Sequence, residues 1–454
     1  MNHKNVGVVF NQALTVKSAK GLADCVATLV TSGELPAGAK LPTVRELALQ
    51  LNLSPATISH AWKTLVSHGI LETRRRGGTF IADTSLTQSA RLFRGVVDAD
   101  IQLDMSSGYP DPTLLPNLRM FLTQLASGDP YTGYPDEPVD PRLKDVLDST
   151  SPYALPALSI GTDVLTALLE VLSLIARFGD KVIVGEAEFA PYLENIQRLG
   201  LTPVPVPMDD DGPVLGAVEE RIAEGAKIML LQPRVHNPTG LVTSSARLEA
   251  IAQRCAAAEM WIVESDHFGN LASSPPISAG TTAPDRTIYL RSFAKDVHPD
   301  VRVTAIGASK HIIDRLENRR VGGGWISRVN QDLLRVMLIS PEVAAAVKEA
   351  KTEYDRRRSN FVSVLNAAGV ATTSRDGLNV WVPVVSESAA LISLASRGIG
   401  ASPGSAFHLT KPLKEHLRVS ISPLRGDVTE VASLVANAAK AHRASGAIHY
   451  AITR

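Results

Sequence analysis

One stretch of the sequence, SFAKDVHPDVR at 292–302, sets a hydroxyl, an amine and a guanidinium close together as Ser292, Lys295 and Arg302. A lysine desolvated beside other cations holds its proton weakly and can form an imine with an aldehyde. Alone, such a loop is more often a surface charge cluster. VESDHFGN (263–270) ends an apolar run on Asp266, the kind of strand end where open α/β sheets meet ligands. A buried carboxylate there needs a cation, and either a protonated pyridinium nitrogen or a structural arginine would serve. HNPTG (236–240) forces a turn, from which Asn237 can donate to a ring oxygen. SIGTDVLTALLEVL (159–172) starts a helix with Gly161, Thr162 and Asp163, whose backbone N–H groups and hydroxyl suit an anion such as a phosphate.

Each segment is common by itself. Together they supply a phosphate cradle, a partner for a ring oxygen, a partner for a ring nitrogen and an amine that captures an aldehyde. Those are the needs of pyridoxal 5′-phosphate (PLP). The elements that would position them alternate between strand-like and helix-like patterns. KVIVGEA (181–187), AKIMLLQP (226–233), MWIVESD (260–266) and TIYLRSF (287–293) are each followed by turn residues and a helical pattern, which predicts an α/β body. Other clusters carry less. The eleven histidines show no HExxH or Cys/His spacing, so no metal site is expected. Gly322–Gly324 lacks the lysine and hydroxyl of a phosphate-binding loop. Arg356, Arg357 and Arg358 fall on a helical pattern and read as a solvated face or an intersubunit contact.

The chain has 454 residues, with 46 Lys+Arg against 46 Asp+Glu. Zero net charge argues at first against a nucleic-acid partner. Residues 1–83, however, hold nine basic and five acidic residues, a net of +4, which leaves −4 on the rest. Within that basic segment, 19–31 has a helical pattern. LPTVRELALQLN (41–52) begins a second helix with Thr43 as N-cap and Glu46 completing a capping box. SPATISHAWKTLVSHG (54–69) is a third, with Ser54 as N-cap and Pro55 at the first helical position. ILETRRRGGTFIAD (70–83) reads as two strands around a basic turn. The order predicts a winged helix-turn-helix: the third helix enters a major groove, and Arg74, Arg75, Arg76 and Gly77 lie at the wing tip. TSLTQSARLFRGVVDAD (84–100) reads as a linker. With only Cys25 and Cys255, no disulfide framework is possible, and without a signal-like apolar stretch a cytoplasmic location is expected.

Residues 41–80 closely resemble the N-terminal domain of the GntR regulator superfamily, whose LPS-x-R-x-LA, LGVS-x-x-T-V and G-G-T-F runs have counterparts here. Pro55 stands where that family often has arginine. The resemblance implies DNA contacts from Thr43, Arg45, Ser54, Thr57, His60 and the wing residues Arg74, Arg75, Arg76 and Gly77. From about Leu103 to Ser422 the chain resembles the fold-type I, aspartate aminotransferase-like PLP enzymes. That likeness implies Lys295 as Schiff-base lysine, Asp266 as pyridinium partner and Asn237 as ligand of the ring hydroxyl oxygen. It assigns the phosphate to Gly161, Thr162, Asp163, Ser292 and Arg302, with Tyr134 reaching across a dimer. Phe189 would stack on the ring, and Arg418 would hold an α-carboxylate, with SPGSAF (402–407) before it. Two positions depart from the family: its D-x-Y is Asp266-His267-Phe268 here, and Val139 replaces a usual glycine. The combined architecture resembles the MocR-type regulators. It implies a winged helix over 1–83, a linker over 84–100 and an effector-binding body over 101–454, with a large lobe to about 345 and a small lobe from about 346. It further implies a head-to-tail, domain-swapped homodimer that binds operator DNA and senses PLP or an amino compound. The alternative is a working class I/II aminotransferase with an appended DNA-binding domain, against which Phe268 counts.

Overall fold

The computed structural model describes residues 10, 13–14, 16–31, 34–36, 38–67, 70–74, 78–81, 101–128, 133–134, 137–320, 324–372 and 374–442. The linker at 84–100, the wing-tip residues Arg75, Arg76 and Gly77, the Arg74 side chain, and Gly322–Gly323 lie outside what it describes.

The basic segment folds as α1 (Ala19–Thr31), α2 (Val44–Leu51), α3 (Pro55–Ser67) and a hairpin of β1 (Leu71–Arg74) and β2 (Gly78–Ile81). The capping box forms: Thr43 Oγ1 accepts from the Glu46 amide, and the Glu46 carboxylate accepts from the Thr43 amide at 2.9 Å. Asn52, left-handed at φ 53°, turns the chain out of α2, and Ser54 Oγ caps α3 through the Thr57 amide at 3.0 Å. Leu47, Leu51, Ile58, Ala61, Trp62 and Leu65 bury the facing sides of α2 and α3. The wing does not stand alone. Leu41 N donates to Thr79 O and Ile81 N to Ala39 O, so β2 is clamped to the segment leading into α2.

The body begins with β3 (Leu103–Asp104), α4 (Leu118–Ala126) and α5 (Pro141–Thr150). A large lobe follows with β4 (Ala157–Gly161), α6 (Val164–Ile175), β5 (Lys181–Gly185), α7 (Ala190–Arg198) and β6 (Thr202–Val206). A short hairpin, β7 (Met208–Asp209) and β8 (Gly212–Pro213), leads to α8 (Leu215–Ala223), β9 (Ile228–Leu231) and α9 (Ser245–Ala257). The lobe is completed by β10 (Trp261–Asp266), β11 (Thr287–Ser292), β12 (Thr304–Ala308), α10 (Lys310–Arg319) and α11 (Arg328–Leu338). Its seven-stranded sheet has the order β4-β12-β11-β10-β9-β5-β6, parallel except for β12. Both faces are covered, so β5 and β9 are near-continuous apolar runs, as a buried parallel sheet requires.

The chain then enters α12 (Pro341–Ala367), 27 residues and so about 40 Å long. Beyond it lie β13 (Asn379–Val384), α13 (Glu387–Ala395), β14 (Ile399–Gly400), β15 (Ser402–Pro403), β16 (Glu415–Ser420) and α14 (Thr429–Ala439). Strands β13, β16 and β15 form an antiparallel sheet, while β14 pairs in parallel with β3 at the start of the body. The stretch after β3 is fastened a second time at Asp111. Its carboxylate takes Arg357 Nη1 and Arg425 Nη2, each at 3.1 Å, and its amide donates to the Tyr354 hydroxyl at 2.8 Å.

That clasp corrects the expectation of a solvated arginine face on α12. Arg356 is exposed, but Arg357 is only 3% exposed and Arg358 is also buried. Arg357 is satisfied by Asp111, Glu353 and Ser422 O, and Arg358 by Asp355 and Gly377 O. Successive helical residues point about 100° apart, so three in a row cannot share one solvent face.

Candidate cofactor and effector site

The site assembles at one edge of the large sheet because the strands deliver their ends there. Gly161 ends β4, Asp266 ends β10 and Ser292 ends β11. Strand β12 runs the other way, so its beginning lies at this same edge, with Thr304 in register with both Gly161 and Ser292. Arg302, two residues earlier and left-handed at φ 52°, is therefore delivered beside the start of α6.

Lys295 is half-buried three residues beyond β11. Its ammonium donates to Gly108 O at 3.1 Å and lies 5.6 Å from the centre of the Phe268 ring. Burial, reinforced by the nearby Arg418 guanidinium, pushes its pKa down to about 8. Asp266 is buried. Burial alone would raise its carboxyl, but Arg291, Arg234 and the Gly269 amide outweigh that and hold it at about 2. His267, whose Nδ1 lies buried without a hydrogen-bond partner among the described residues, is kept neutral chiefly by burial and secondarily by Lys295.

Asn237 is oriented by its neighbours. Its side-chain oxygen accepts from Arg418 Nη1 at 3.2 Å and from Asn379 Nδ2 at 3.4 Å, which leaves the amide NH2 as the group available to donate. Arg418, on β16 of the small-lobe sheet, is almost wholly buried and also donates to Ser106 O and to Ser402 Oγ. Burial lowers its pKa to about 10, which leaves it cationic at neutral pH. SPGSAF belongs to this neighbourhood: Phe407 lies under the Arg418 guanidinium at 4.8 Å, and Phe407 O accepts from the Glu188 amide.

On the phosphate side, the Asp163 carboxylate caps α6 through the amides of Leu165 and Thr166, both at 3.0 Å, and pairs with Arg302 at 2.9 Å. An ionised carboxylate is acceptor-only, so a phosphate would find donors in backbone amides, Thr162, Ser292 and Arg302, and none in the Asp163 side chain. Phe189 precedes α7 and packs edge-on to Tyr192 at 5.2 Å. Tyr134 is 86% exposed, its ring edge-on to Trp325 at 5.4 Å. In the winged helix, Arg45, Ser54 and His60 are exposed and Thr57 is half-buried, while the hydroxyls of Thr43 and Ser54 serve as caps. Among the described residues no group of His, Cys, Asp or Glu could hold a metal, and no helix is long and apolar enough to cross a membrane.

Sequence reasoning missed the groups that hold these residues. Arg234 Nη2 lies 2.5 Å from Asp266 Oδ2, and the Tyr289 hydroxyl donates to the same oxygen at 3.0 Å. Ser106 and Gly108 act through backbone carbonyls, which carry no sequence signal. Arg234 did have one, as an arginine directly after the apolar run IMLLQP.

Residues 102–435 match the aminotransferase class I and II family, and residues 19–81 match the gntR family of bacterial regulatory proteins. The vitamin B6 salvage pathway transcriptional repressor PtsJ of Salmonella typhimurium is 30% identical over 429 residues, covering 93% of this chain and 97% of its own. The pyridoxine biosynthesis transcriptional regulator PdxR of Corynebacterium glutamicum is 25% identical over 359 residues, 74% of this chain and 76% of its own. Among solved structures, a kynurenine aminotransferase from Pyrococcus horikoshii superposes with a TM-score of 0.69 at 20% identity, over 78% of this chain and 93% of that one. An aspartate aminotransferase from Thermus thermophilus gives 0.64 at 20% identity, over 78% and 93%. At those identities the likeness to the enzymes shows the fold.

Proposed function

The chain belongs to the aminotransferase class I and II family and joins that domain to a gntR-family DNA-binding domain, the build of a MocR-type transcription regulator; we propose that its body binds PLP at Lys295 and makes DNA binding answer to PLP or to an amino compound. The observation that carries this reading is the convergence of Lys295, Asp266, Asn237, Ser292 and Arg302 at one sheet edge. The relatives named for vitamin B6 salvage and pyridoxine biosynthesis support it.

The donor set fits the cofactor. When bound, PLP supplies an aldehyde that condenses with a primary amine and a ring that withdraws electrons. Lys295 provides an amine whose neutral form is accessible near pH 8. Asn237 would donate its NH2 to the ring hydroxyl oxygen, and Asp266 would be the partner of the ring nitrogen. Gly161, Thr162, Ser292 and Arg302 would hold the phosphate. Arg418 would orient an effector's carboxylate by exchanging part of its present hydrogen bonds to Asn237, Ser106 and Ser402 for that carboxylate.

Both ligand-facing cations hold the same short stretch of chain. Arg418 donates to Ser106 O and Lys295 to Gly108 O, within a few residues of where the linker enters the body. Lys295 cannot attach to a cofactor and keep its full ammonium on Gly108, so ligand occupancy acts first on the segment leading to the DNA-binding domain. A homodimer would bring Tyr134 of one protomer to its partner's phosphate site and present two winged helices to a palindromic operator.

The test is an absorbance titration with PLP, then with a panel of amino acids, each repeated with promoter DNA. We expect a borohydride-fixed adduct on Lys295, lost in Lys295→Ala, and an affinity for DNA that changes with ligand. Absence of any such adduct at saturating PLP would sink the reading.

A further inference from the structure

We infer that Arg234 positions and neutralises Asp266, so that the ring nitrogen of a bound PLP meets an ion pair in place of a free carboxylate and stays largely unprotonated. This rests on the PLP reading above and goes beyond it, because it concerns what the site withholds from the cofactor.

The carboxylate of Asp266 is already occupied by its own protein. Oδ2 takes Arg234 Nη2 at 2.5 Å and the Tyr289 hydroxyl at 3.0 Å, and Oδ1 takes the Gly269 amide at 3.0 Å. A carboxylate offers about four acceptor positions, so three of them are filled. Arg234 is 6% exposed, and among the described residues no other carboxylate forms an ion pair with it. A second guanidinium, Arg291, approaches the same oxygen at 3.8 Å but is claimed by Asp296, with which it makes a short hydrogen bond. That placement is built in: Gly269 is left-handed at φ 55°, and a Cβ there would lie 1.8 Å from Arg291 Nη2.

The carboxylates around the ring-nitrogen position are therefore each matched by a guanidinium before any cofactor enters. Arg234 matches Asp266 and Arg291 matches Asp296. On β10 the Glu264 carboxyl is pushed up to about 8, mainly by burial, and is uncharged at neutral pH. His267 is neutral, and Lys295 loses its charge near pH 8. A pyridinium would add an unmatched positive charge in a buried setting, close to a guanidinium that repels it. An unprotonated ring still lets its aldehyde capture amines but withdraws electrons weakly, so a bound amino compound is held more than it is converted. Such a site reports a ligand without consuming it.

The test uses full-length protein loaded with PLP carrying 15N at the ring nitrogen. In the wild type we expect the 15N shift of a neutral pyridine across the neutral pH range. Arg234→Gln should move it toward pyridinium, raising the protonated fraction at least ~10-fold, the equivalent of one pKa unit. Arg234→Lys, which keeps the charge, should restore the wild-type shift, an outcome that a merely structural role would not produce. In a single turnover with L-alanine, Arg234→Gln should also convert bound PLP faster. A wild-type ring already at the pyridinium position overturns the inference, whether or not the variants fold, and so does an unchanged shift in a folded Arg234→Gln. Failure of the wild type to form the Lys295 adduct overturns the PLP reading, and this inference with it.

Discussion

Burial lowers the proton affinity of Lys295 because it disfavours the charged form, and Arg418 adds to the effect. The two contributions can be separated. The neutral amine is the form that attacks an aldehyde, and with a pKa of about 8 it is half populated there. The initial rate of PLP attachment should therefore rise with pH and level off above about 8, well below the ordinary lysine value of 10.5. Arg418→Met removes the smaller contribution, so the midpoint should move to higher pH without reaching 10.5. Stopped-flow absorbance across pH measures both, and identical profiles would show that Arg418 has no influence on the amine. At this scale the sequence was half legible. An apolar run ending on Asp266 announces a buried carboxylate in need of a cation. Which cation answers it depends on β9 and β10 lying side by side, since Arg234 is 32 residues away along the chain.

Elements were more legible than the contacts between them. Thr43 and Glu46 mark where α2 starts, and the β-branched runs mark the central strands, because those signals are local. The small lobe's hold on the body's first strand is not local. Neither is the division of labour within Arg356–Arg358, which depends on how α12 rolls against Asp111. Two adjacent substitutions test that roll. Arg357→Ala removes the buried one of the two guanidiniums on Asp111, leaving it Arg425, and should cost about 1.5–3 kcal/mol in denaturant unfolding. Arg356→Ala should leave the midpoint unchanged, since its partner Glu353 retains Arg357. Equal losses from both would mean that α12 presents a different face.

For the whole molecule, neutrality is the sum of a basic reader and an acidic body, and only the split by segment exposes it. Affinity for operator DNA should fall steeply with salt. Arg45→Ala should weaken it and, if this side chain reaches a phosphate, reduce the logarithmic salt slope by about 1. Fluorescence anisotropy at several salt concentrations measures both quantities, and binding indifferent to salt would contradict the role given to the basic segment.

The stretch from β3 to Asp111 is anchored at each end, by β14 on one side and by Arg357, Arg425 and Tyr354 on the other. Between the anchors, Ser106 and Gly108 are gripped from the side by the two ligand-facing cations. A cord fixed at both ends cannot travel far when one grip is released; what changes is its tautness. On the function proposed above, the message sent toward the DNA-binding domain would be one of stiffness more than of distance.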